Sequence, residues 1–306
     1  MHSFLINAYY AIKPIIPRRL QLALRRAIAE RKREKYRHVW PIDEKTGATP
    51  PNWPGWPDGK KFAFVLTHDV EKERGLEKCL QLMEVEKRHG FRSLFNFVPT
   101  EYAVPQELRK KLENEGFEIG VHGLTHKGNI FKNRQQFESH AIKINHYLND
   151  WRAVGFRSPS MFHHLEWMHD LHIEYDLSTF DTDPFEPQSD GLGTIFPLLV
   201  RTNSGRPGYI ELPYSLPQDH TLFVILREKS AEIWKKKLDW IADHGGMALA
   251  NVHPDYINFN GTQLSFEEYP LNYYENFLKY VKSRHEGKYW QALPKQVSAY
   301  VRNKLS

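Results

Sequence analysis

One stretch of ten residues, FAFVLTHDVE at positions 62–71, constrains the fold more than any other part of the chain. It begins with five mostly apolar residues, and such a run is typical of a strand buried on both faces of a parallel sheet. Three residues that can hold a metal or a proton come next: His68, Asp69 and Glu71. In α/β folds, ligands and chemistry gather at the carboxyl ends of such strands. The stretch predicts a strand ending in a functional loop, although a lone Asp in that place is often only a helix cap.

Strand-like and helix-like segments alternate from residue 62 onward, which predicts an α/β domain with a parallel sheet or barrel over residues 61–306. At 41% hydrophobic and 26% charged residues, the composition is that of a globular domain with a sizeable core. Further strands are predicted at residues 91–98, 117–121, 153–156, 175–180, 209–212 and 247–250. Helices are predicted at residues 75–89, 105–115, 133–151 and 233–244.

Several of these strands end in residues that bind metals or carry protons, a recurrence that surface composition does not readily explain. Two histidines at a spacing that allows a shared metal, His122 and His126, come after the strand at 117–121. Because Gly123 stands between them, the pair is expected on a loop, and it lacks the Glu of the helical zinc-protease motif. The other strand ends carry Arg157 with Pro159, Asp181 with Asp183, and His253.

The order of these motifs resembles that of the polysaccharide deacetylases with NodB homology, the family-four carbohydrate esterases. The motifs are Thr-His-Asp-Val-Glu at 67–71, His-x-x-x-His at 122–126, Arg-x-Pro at 157–159, a strand-end Asp, and a late apolar strand ending in His. The resemblance extends over residues 62–255. It implies a distorted (β/α) barrel of about seven strands. It also implies a divalent metal, usually zinc with cobalt or manganese as alternatives, and the removal of N-acetyl or O-acetyl groups from a sugar or glycan.

The resemblance assigns the metal to the two histidines of the 122–126 loop together with one carboxylate. The usual first motif of the family is Thr-Phe-Asp-Asp, whose first Asp is the base and whose second is a ligand, but here Val70 stands in the second position. Two assignments are open. In the one we favour, Glu71 supplies the missing ligand oxygen and Asp69 stays the base. In the other, Asp69 is the ligand, His68 or Glu71 contacts it without binding the metal, and the role of base passes to another residue.

The same resemblance implies the proton transfers. Asp69 would take a proton from the attacking water, and Arg157 would hold that carboxylate ionised through charge-assisted hydrogen bonds. His253 would protonate the leaving amine, and such acid or base assistance is typically worth ~10²–10⁴-fold. Asp183 or Asp181 would orient His253, unless both only cap a turn. The expected substrate contacts are Pro159, Asp181 and Tyr256.

The basic charge of the chain is concentrated in an N-terminal arm, residues 1–38. The arm holds ten Lys and Arg against Glu30 and Glu34, a net charge of +8, so the remainder is slightly acidic. Leu20, Leu24 and Ile28 recur at helical spacing with arginines between them, which predicts a basic amphipathic helix. Such an arm can lie on an anionic membrane, dock on a partner, or pack across its own domain.

Other features bear on partners and localisation. Residues 40–60 hold five prolines and three tryptophans, which predicts a linker over residues 39–60 that lies on the domain surface. The apolar opening lacks the features of a signal peptide and is shorter than the ~18 residues that would span a bilayer. The single cysteine excludes an internal disulfide. We therefore expect a cytoplasmic protein of cell-envelope polysaccharide synthesis, peripheral on the inner membrane face if the arm binds lipid, with no nucleic-acid partner.

Three other function classes stay open on the sequence alone. Val70 suggests a degenerate relative that binds a glycan without hydrolysing it. A metal-dependent amidohydrolase acting on a small cyclic amide would use similar residues on a similar barrel. An adaptor would use the arm as its working part.

Overall fold

The fold is a curled, mostly parallel sheet with helices packed around it, described over residues 17–203, 207–261 and 263–305 of a computed structural model. Its strands are β1 Phe62–Val70, β2 Leu94–Phe97, β3 Glu118–His122, β4 Gly155–Arg157, β5 Tyr175–Asp176, β6 Leu198–Arg201, β7 Pro207–Glu211, β8 Met247–Asn251, β9 Ile257–Asn258, β10 Tyr269–Pro270 and β11 Tyr289–Gln291. Its α-helices are α1 Arg18–Lys35, α2 Glu73–Leu76, α3 Cys79–His89, α4 Gln106–Asn114, α5 Arg134–Trp151, α6 Glu232–His244, α7 Leu271–His285 and α8 Pro294–Leu305. A π-helical segment spans His220–Ile225.

Strand β1 is the centre of the sheet, because it pairs in parallel with β8, β11 and β2. From β2 the sheet continues through β3, β4, β5 and β7 to the antiparallel β6. The chain beyond β7 then returns to β8, where the backbone N–H groups of Ser215 and Leu216 donate to the Leu249 carbonyl at 3.2 and 3.1 Å. The result is an irregular barrel, and the predicted distorted (β/α) barrel is confirmed.

The ends of several predicted elements differ from those observed. The predicted helix at 75–89 is divided into α2 and α3, and the predicted strand at 175–180 is reduced to β5 and an isolated bridge at Phe180. More important, β1 does not end at Leu66 but continues to Val70. His68 and Asp69 are therefore strand residues, and their side chains point to opposite faces of the sheet.

This alternation along β1 divides the core into two layers. Phe62, Phe64 and Leu66 pack in the layer between sheet and helices, whereas Ala63 and Val65 pack in the barrel interior. Because side chains alternate along a strand, the next residues on the interior face are Thr67, Asp69 and Glu71. The interior face of β1 thus changes from apolar to polar toward its carboxyl end.

The described part of the arm, residues 17–38, and the linker both pack on this barrel; residues 1–16 of the predicted arm lie outside the described residues. The indole N–H of the buried Trp56 donates to the Gly245 carbonyl at 2.7 Å, and Trp53 packs edge-on against Phe196. Helix α1 buries Leu22 and Ala29. Over the described ranges, no helix combines the length and apolarity needed to cross a membrane.

His68 belongs to a buried polar cluster on the outer face of β1, away from the barrel interior. The Glu86 carboxylate lies 2.8 Å from the His68 Nε2 atom and accepts hydrogen bonds from the hydroxyl groups of Ser93, at 2.6 Å, and Tyr274. His68 Nδ1 lies 2.9 Å from the Val252 carbonyl oxygen. The suggested supporting role of His68 in the metal site is therefore wrong; it holds β1 to the surrounding helices.

We expect Glu86→Ala to destabilise the protein by about 3 kcal/mol or more, because it leaves three buried polar groups without their acceptor. Urea unfolding measures the loss. Glu84→Ala, a truncation on the same helix at a more exposed glutamate, is the matched control and should change the free energy of unfolding by no more than about 0.5 kcal/mol. Equal stability of the two variants would contradict the importance of the cluster.

Candidate active site

The carboxyl ends of the barrel strands surround a cavity of about 120 Å³. Parallel strands end at the same edge of the sheet, so residues distant in sequence meet there. Most of the predicted site residues line the cavity: Asp69, Glu71, His122, His126, His253 and Tyr256. Arg25 from α1 also contributes to the lining, as do Glu186, Gln218 and His220.

Asp69 is held as a buried carboxylate by groups from several strands. Arg157 Nη1 donates to its Oδ1 atom at 3.0 Å, and the amides of Asn96 and Asn251 donate to Oδ1 and Oδ2 at 3.1 and 2.8 Å. Burial alone would raise the pKa of Asp69, but the Arg157 charge and the neighbouring His122 hold it well below its usual range. The predicted contact of Arg157 with Asp69 is present, whereas the two asparagines were not predicted as partners.

Arg157 contacts more than this one carboxylate. The same Nη1 atom lies 2.7 Å from Asn251 Oδ1 and 2.9 Å from the Thr67 hydroxyl, and Nε donates to the Leu177 carbonyl at 2.9 Å. The guanidinium is fully buried. It therefore ties the ends of β1, β4 and β8 to the chain that leaves β5.

Glu71 faces the cavity from just beyond β1. Its Oε1 atom lies 3.2 Å from His126 Nε2, and its Oε2 atom accepts a hydrogen bond from the Tyr256 hydroxyl at 2.5 Å. The Glu71 backbone N–H donates to Asp255 at 3.0 Å, which fixes the chain at this point. Burial would raise the pKa of Glu71, but the His126 charge holds it well below the usual value, and Glu71 in turn raises the pKa of His126.

His122 presents one nitrogen to the cavity. Its Nδ1 atom lies 3.1 Å from the Arg157 carbonyl oxygen, whereas Nε2 lies 3.9 Å from Asp69 Oδ2. Burial lowers the pKa of His122 to about 4 despite the opposing effect of Asp69, so the ring is neutral at pH 7. Gly123 follows with a φ of +65°, and a Cβ there would come within 2.6 Å of Pro159. The turn that carries the chain on to His126 therefore needs glycine.

His253 is oriented by Asp219, a residue that the sequence analysis did not identify. Its Nδ1 atom lies 2.6 Å from Asp219 Oδ1, and its backbone N–H donates to Oδ2 at 2.9 Å. Burial alone would lower the pKa of His253, but Asp219 and then Glu71 raise it to about 10. The ring is therefore cationic, and its Nε2 atom lies 3.9 Å from both Asp69 and Glu71.

The predicted roles of Asp181 and Asp183 are wrong. Asp181 is buried against Lys237, 2.8 Å from Nζ, and does not line the cavity, so it is no substrate contact. Asp183 accepts from the Phe185 backbone N–H at 2.8 Å and from the Tyr214 hydroxyl at 2.9 Å, so it caps a turn instead of orienting His253.

The two other predicted substrate contacts have different outcomes. Tyr256 lines the cavity, where its hydroxyl binds Glu71. Pro159 is buried behind the Gly123 turn and does not line the cavity, and the next two residues, Ser160 and Met161, do so instead. Pro159 therefore shapes the site without facing it.

The donor set around the cavity fits a divalent metal by its chemistry. Ligand atoms of a tetrahedral zinc ion at the usual bond length of about 2.1 Å lie about 3.4 Å apart, close to the 3.2 Å between Glu71 Oε1 and His126 Nε2. His122 is neutral, and its Nδ1 contact with a carbonyl is the kind that orients metal-binding imidazoles. In residues 17–203, 207–261 and 263–305, however, no three histidine, cysteine or acidic side chains are arranged as a formed metal site. Metal binding therefore stays a prediction.

Comparison with known proteins identifies the fold. No protein-family model matches the chain, and no curated protein matches it. A protein from Mycobacterium smegmatis classed as a polysaccharide deacetylase aligns with a TM-score of 0.63 at 18% identity, over 84% of this chain and 96% of its own. The chain has the fold of the NodB-type deacetylases. The predicted resemblance is thus confirmed for the fold.

Two further solved structures share this fold. A protein from Pseudomonas aeruginosa PAO1 classed as a polysaccharide deacetylase has a TM-score of 0.62 at 16% identity, and 86% of this chain and 98% of that chain are covered. The Puue allantoinase has a TM-score of 0.64 at 15% identity, with the same coverage of 86% and 98%. One barrel therefore carries more than one named activity.

We expect Asp219→Asn to remove most of the increase in the His253 pKa, whereas Asp183→Asn should leave it unchanged. Because the pKa is raised, the ring stays protonated until pH rises through about 10; without the Asp219 charge it should lose its proton at a much lower pH, closer to that of an ordinary histidine. Ring-nitrogen NMR of His253 as a function of pH measures the change. A shift in Asp183→Asn, with none in Asp219→Asn, would restore the assignment made from the sequence.

Proposed function

We propose that this protein is a metal-dependent hydrolase that removes acetyl groups from an N- or O-acetylated sugar or glycan. The observation that best supports the proposal is the convergence of two ionised carboxylates, two neighbouring histidines and a separate cationic histidine at one cavity. Their strand-end positions match the motif order that resembles the deacetylases. The fold shared with two proteins classed as polysaccharide deacetylases adds support.

Glu71, His122 and His126 would hold the metal. When bound there, a divalent ion supplies Lewis-acid activation of water and of the acyl oxygen. Glu71 is suited to this position because its Oε1 atom adjoins His126, while Tyr256 and the Asp255 contact to its backbone fix it from the other side.

Asp69 would accept a proton from the attacking water at Oδ2. That atom faces the cavity, 3.9 Å from His122 Nε2 and from His253 Nε2. Arg157 and the two asparagines keep the carboxylate ionised and oriented before the reaction begins. Because these three side chains already donate hydrogen bonds to both oxygens of Asp69, it is less suited than Glu71 to bind the metal.

His253 would then donate its Nε2 proton to the leaving nitrogen or oxygen. Asp219 keeps the ring protonated and fixes Nδ1, so only Nε2 is directed at the substrate. The acid and the base face each other across the cavity, as an acyl transfer from a sugar amine requires.

The position of Val70 argues against a degenerate, non-catalytic relative. As an even-numbered residue of β1, Val70 lies on the outer face and packs in the layer between sheet and helices. A ligand at that position would point away from the cavity. Glu71 is the next residue on the inner face after Asp69 and already lies beside His126.

Hydrolysis of a small cyclic amide is the second candidate function. The supporting observation is the cavity volume of about 120 Å³, below the 300–1,000 Å³ usual for ligand sites. That volume suits either a small ring or the acetamido group of a larger sugar that stays outside. Assays with both substrate types separate the two functions.

We expect purified protein loaded with zinc, cobalt or manganese to release acetate from N-acetylglucosamine oligomers or O-acetylated xylan, and to lose that activity on chelation. His253→Ala should slow the reaction on the amide by about 10²–10⁴-fold, and by less on an activated ester whose leaving group needs no proton. His164→Ala, at an exposed histidine outside the cavity, is the control. Turnover of a cyclic ureide without acetate release would favour the second candidate. The absence of both activities would refute the proposal.

Two conservative variants separate the carboxylates. We expect Glu71→Gln to lower the metal content measured by elemental analysis, since it removes a ligand charge. Asp69→Asn should retain the metal and lose most turnover, since it removes the base. The reverse pattern would make Asp69 the ligand, as the other open assignment holds.

A further inference from the structure

The outward face of α1 is apolar and uncovered by any described residue. Leu20, Leu24 and Ile28 are 51%, 45% and 55% exposed. Their four-residue spacing places them on one face of the helix, and Ala23 and Ala27 beside them are exposed as well. We refer to these five residues as the α1 stripe.

The loop beside the helix extends this apolar surface. Outside the stripe, the exposed large hydrophobic side chains of the described ranges are Ile142, Leu264 and Phe266. Phe266 lies against α1, because Arg26 donates to its carbonyl at 3.0 Å and the Arg19 guanidinium lies 5.3 Å from its ring centre. Four of the six exposed large hydrophobic side chains that the structure describes, the three of the stripe and Phe266, thus lie on or beside α1, which marks an interaction surface.

The stripe is exposed although α1 is firmly packed. The opposite face buries Leu22 and Ala29, and Arg33 pairs with Glu228 at 2.7 Å. Lys32 donates to the Pro184 carbonyl at 2.7 Å. The barrel therefore buries one leucine of the helix and leaves its three other large apolar residues outside.

The charge of α1 indicates what would cover the stripe. The helix carries eight Lys and Arg against two Glu, a net charge of +6. Three exposed cations, Arg19, Arg31 and Lys35, have no acidic partner within the part of the chain that the structure describes. An apolar face bordered by unpaired cations is complementary to an anionic lipid surface. A second copy of the chain would bring two such helices together, against their like charges.

The helix also forms part of the mouth of the catalytic cavity. Arg25 lines the cavity, and the Pro184 carbonyl bound by Lys32 precedes Phe185 and Glu186, which line it too. A surface that binds α1 from outside would therefore lie next to the opening.

We propose that the α1 stripe, with Phe266, docks the protein on an anionic lipid bilayer and brings the cavity mouth to its surface. If the proposed function holds, this docking makes an acetylated sugar carried on a lipid the expected substrate class; this part of the inference rests on the proposed function. The docking itself does not depend on the reaction.

Co-sedimentation of the full-length protein with vesicles tests the docking. Binding to vesicles that contain phosphatidylglycerol should exceed binding to pure phosphatidylcholine and should weaken as salt rises. Ile28→Glu should weaken binding at least about tenfold, because it replaces an apolar contact by an anion at an anionic surface. Ile142→Glu makes the same change at the 74% exposed residue of α5 and should have no effect. Arg31→Glu is a second variant that removes no apolar group and should also weaken binding.

Several results would overturn the docking. One is that the unaltered protein does not bind anionic vesicles at low salt. Another is that Ile28→Glu and Arg31→Glu both bind as tightly as the unaltered protein. A dimer that Ile28→Glu converts to monomers, without vesicle binding, would make the stripe an interface between copies. Binding that depends on residues 1–16 but not on Ile28 would assign the contact to those residues.

An activity measurement separates the docking from the proposed function. On an N-acetylglucosaminyl lipid in anionic vesicles, the unaltered protein should release acetate about tenfold faster than Ile28→Glu, and both should act equally on a soluble oligomer. Vesicle binding without acetate release from either substrate would refute the proposed function and leave the docking intact. Acetate release at equal rates by both proteins on the vesicles would refute the lipid-carried substrate.

Discussion

The site depends on one buried ion pair, the contact between Asp69 and Arg157. Burial of two charges is costly unless hydrogen bonds compensate for it. Asn96 and Asn251 donate to the Asp69 carboxylate. Thr67, Asn251 and the Leu177 carbonyl accept from Arg157 Nη1 and Nε, whereas Nη2 is buried with no partner among the described residues. Because the partners come from different strands, the pair also fixes how the carboxyl ends of those strands meet. The carboxylate that would take up a proton is therefore held by the same contacts that close the barrel at this edge.

The sequence allows the fold and half of the site to be predicted, since both follow from local patterns. Apolar runs mark the strands, and the polar residues at their ends, such as Asp69, His122 and His253, converge because parallel strands share an edge. Asp219 could not be found this way. It lies in an irregular segment eight residues beyond β7, and only the return of that segment to β8 brings it to His253. Asp183 has the better sequence context but the wrong position.

The first motif shows how strand geometry decides which residue can act. If residues 67–71 formed a loop, every side chain would be free to face the cavity. As a strand that continues to Val70, they alternate, so His68 and Val70 leave the site while Asp69 and Glu71 share a face. For helix α1, the sequence likewise does not show which residues the barrel covers. Leu20, Leu24 and Ile28 form the stripe that a core helix would bury, yet the barrel packs against Leu22 and Ala29. Periodicity predicts the faces of a helix but not which one its own domain covers.

The π-helical segment contacts both the candidate site and helix α1. Asp219 caps its first residue, with the His220 N–H donating to the carboxylate at 2.7 Å, and Arg26 of α1 donates to the Val224 carbonyl within the same segment at 3.0 Å. Asp219, which orients His253, and the contact that anchors α1 thus belong to one short segment of the chain. The interior of the barrel and the helix at its rim therefore rest on the same widened helical turn.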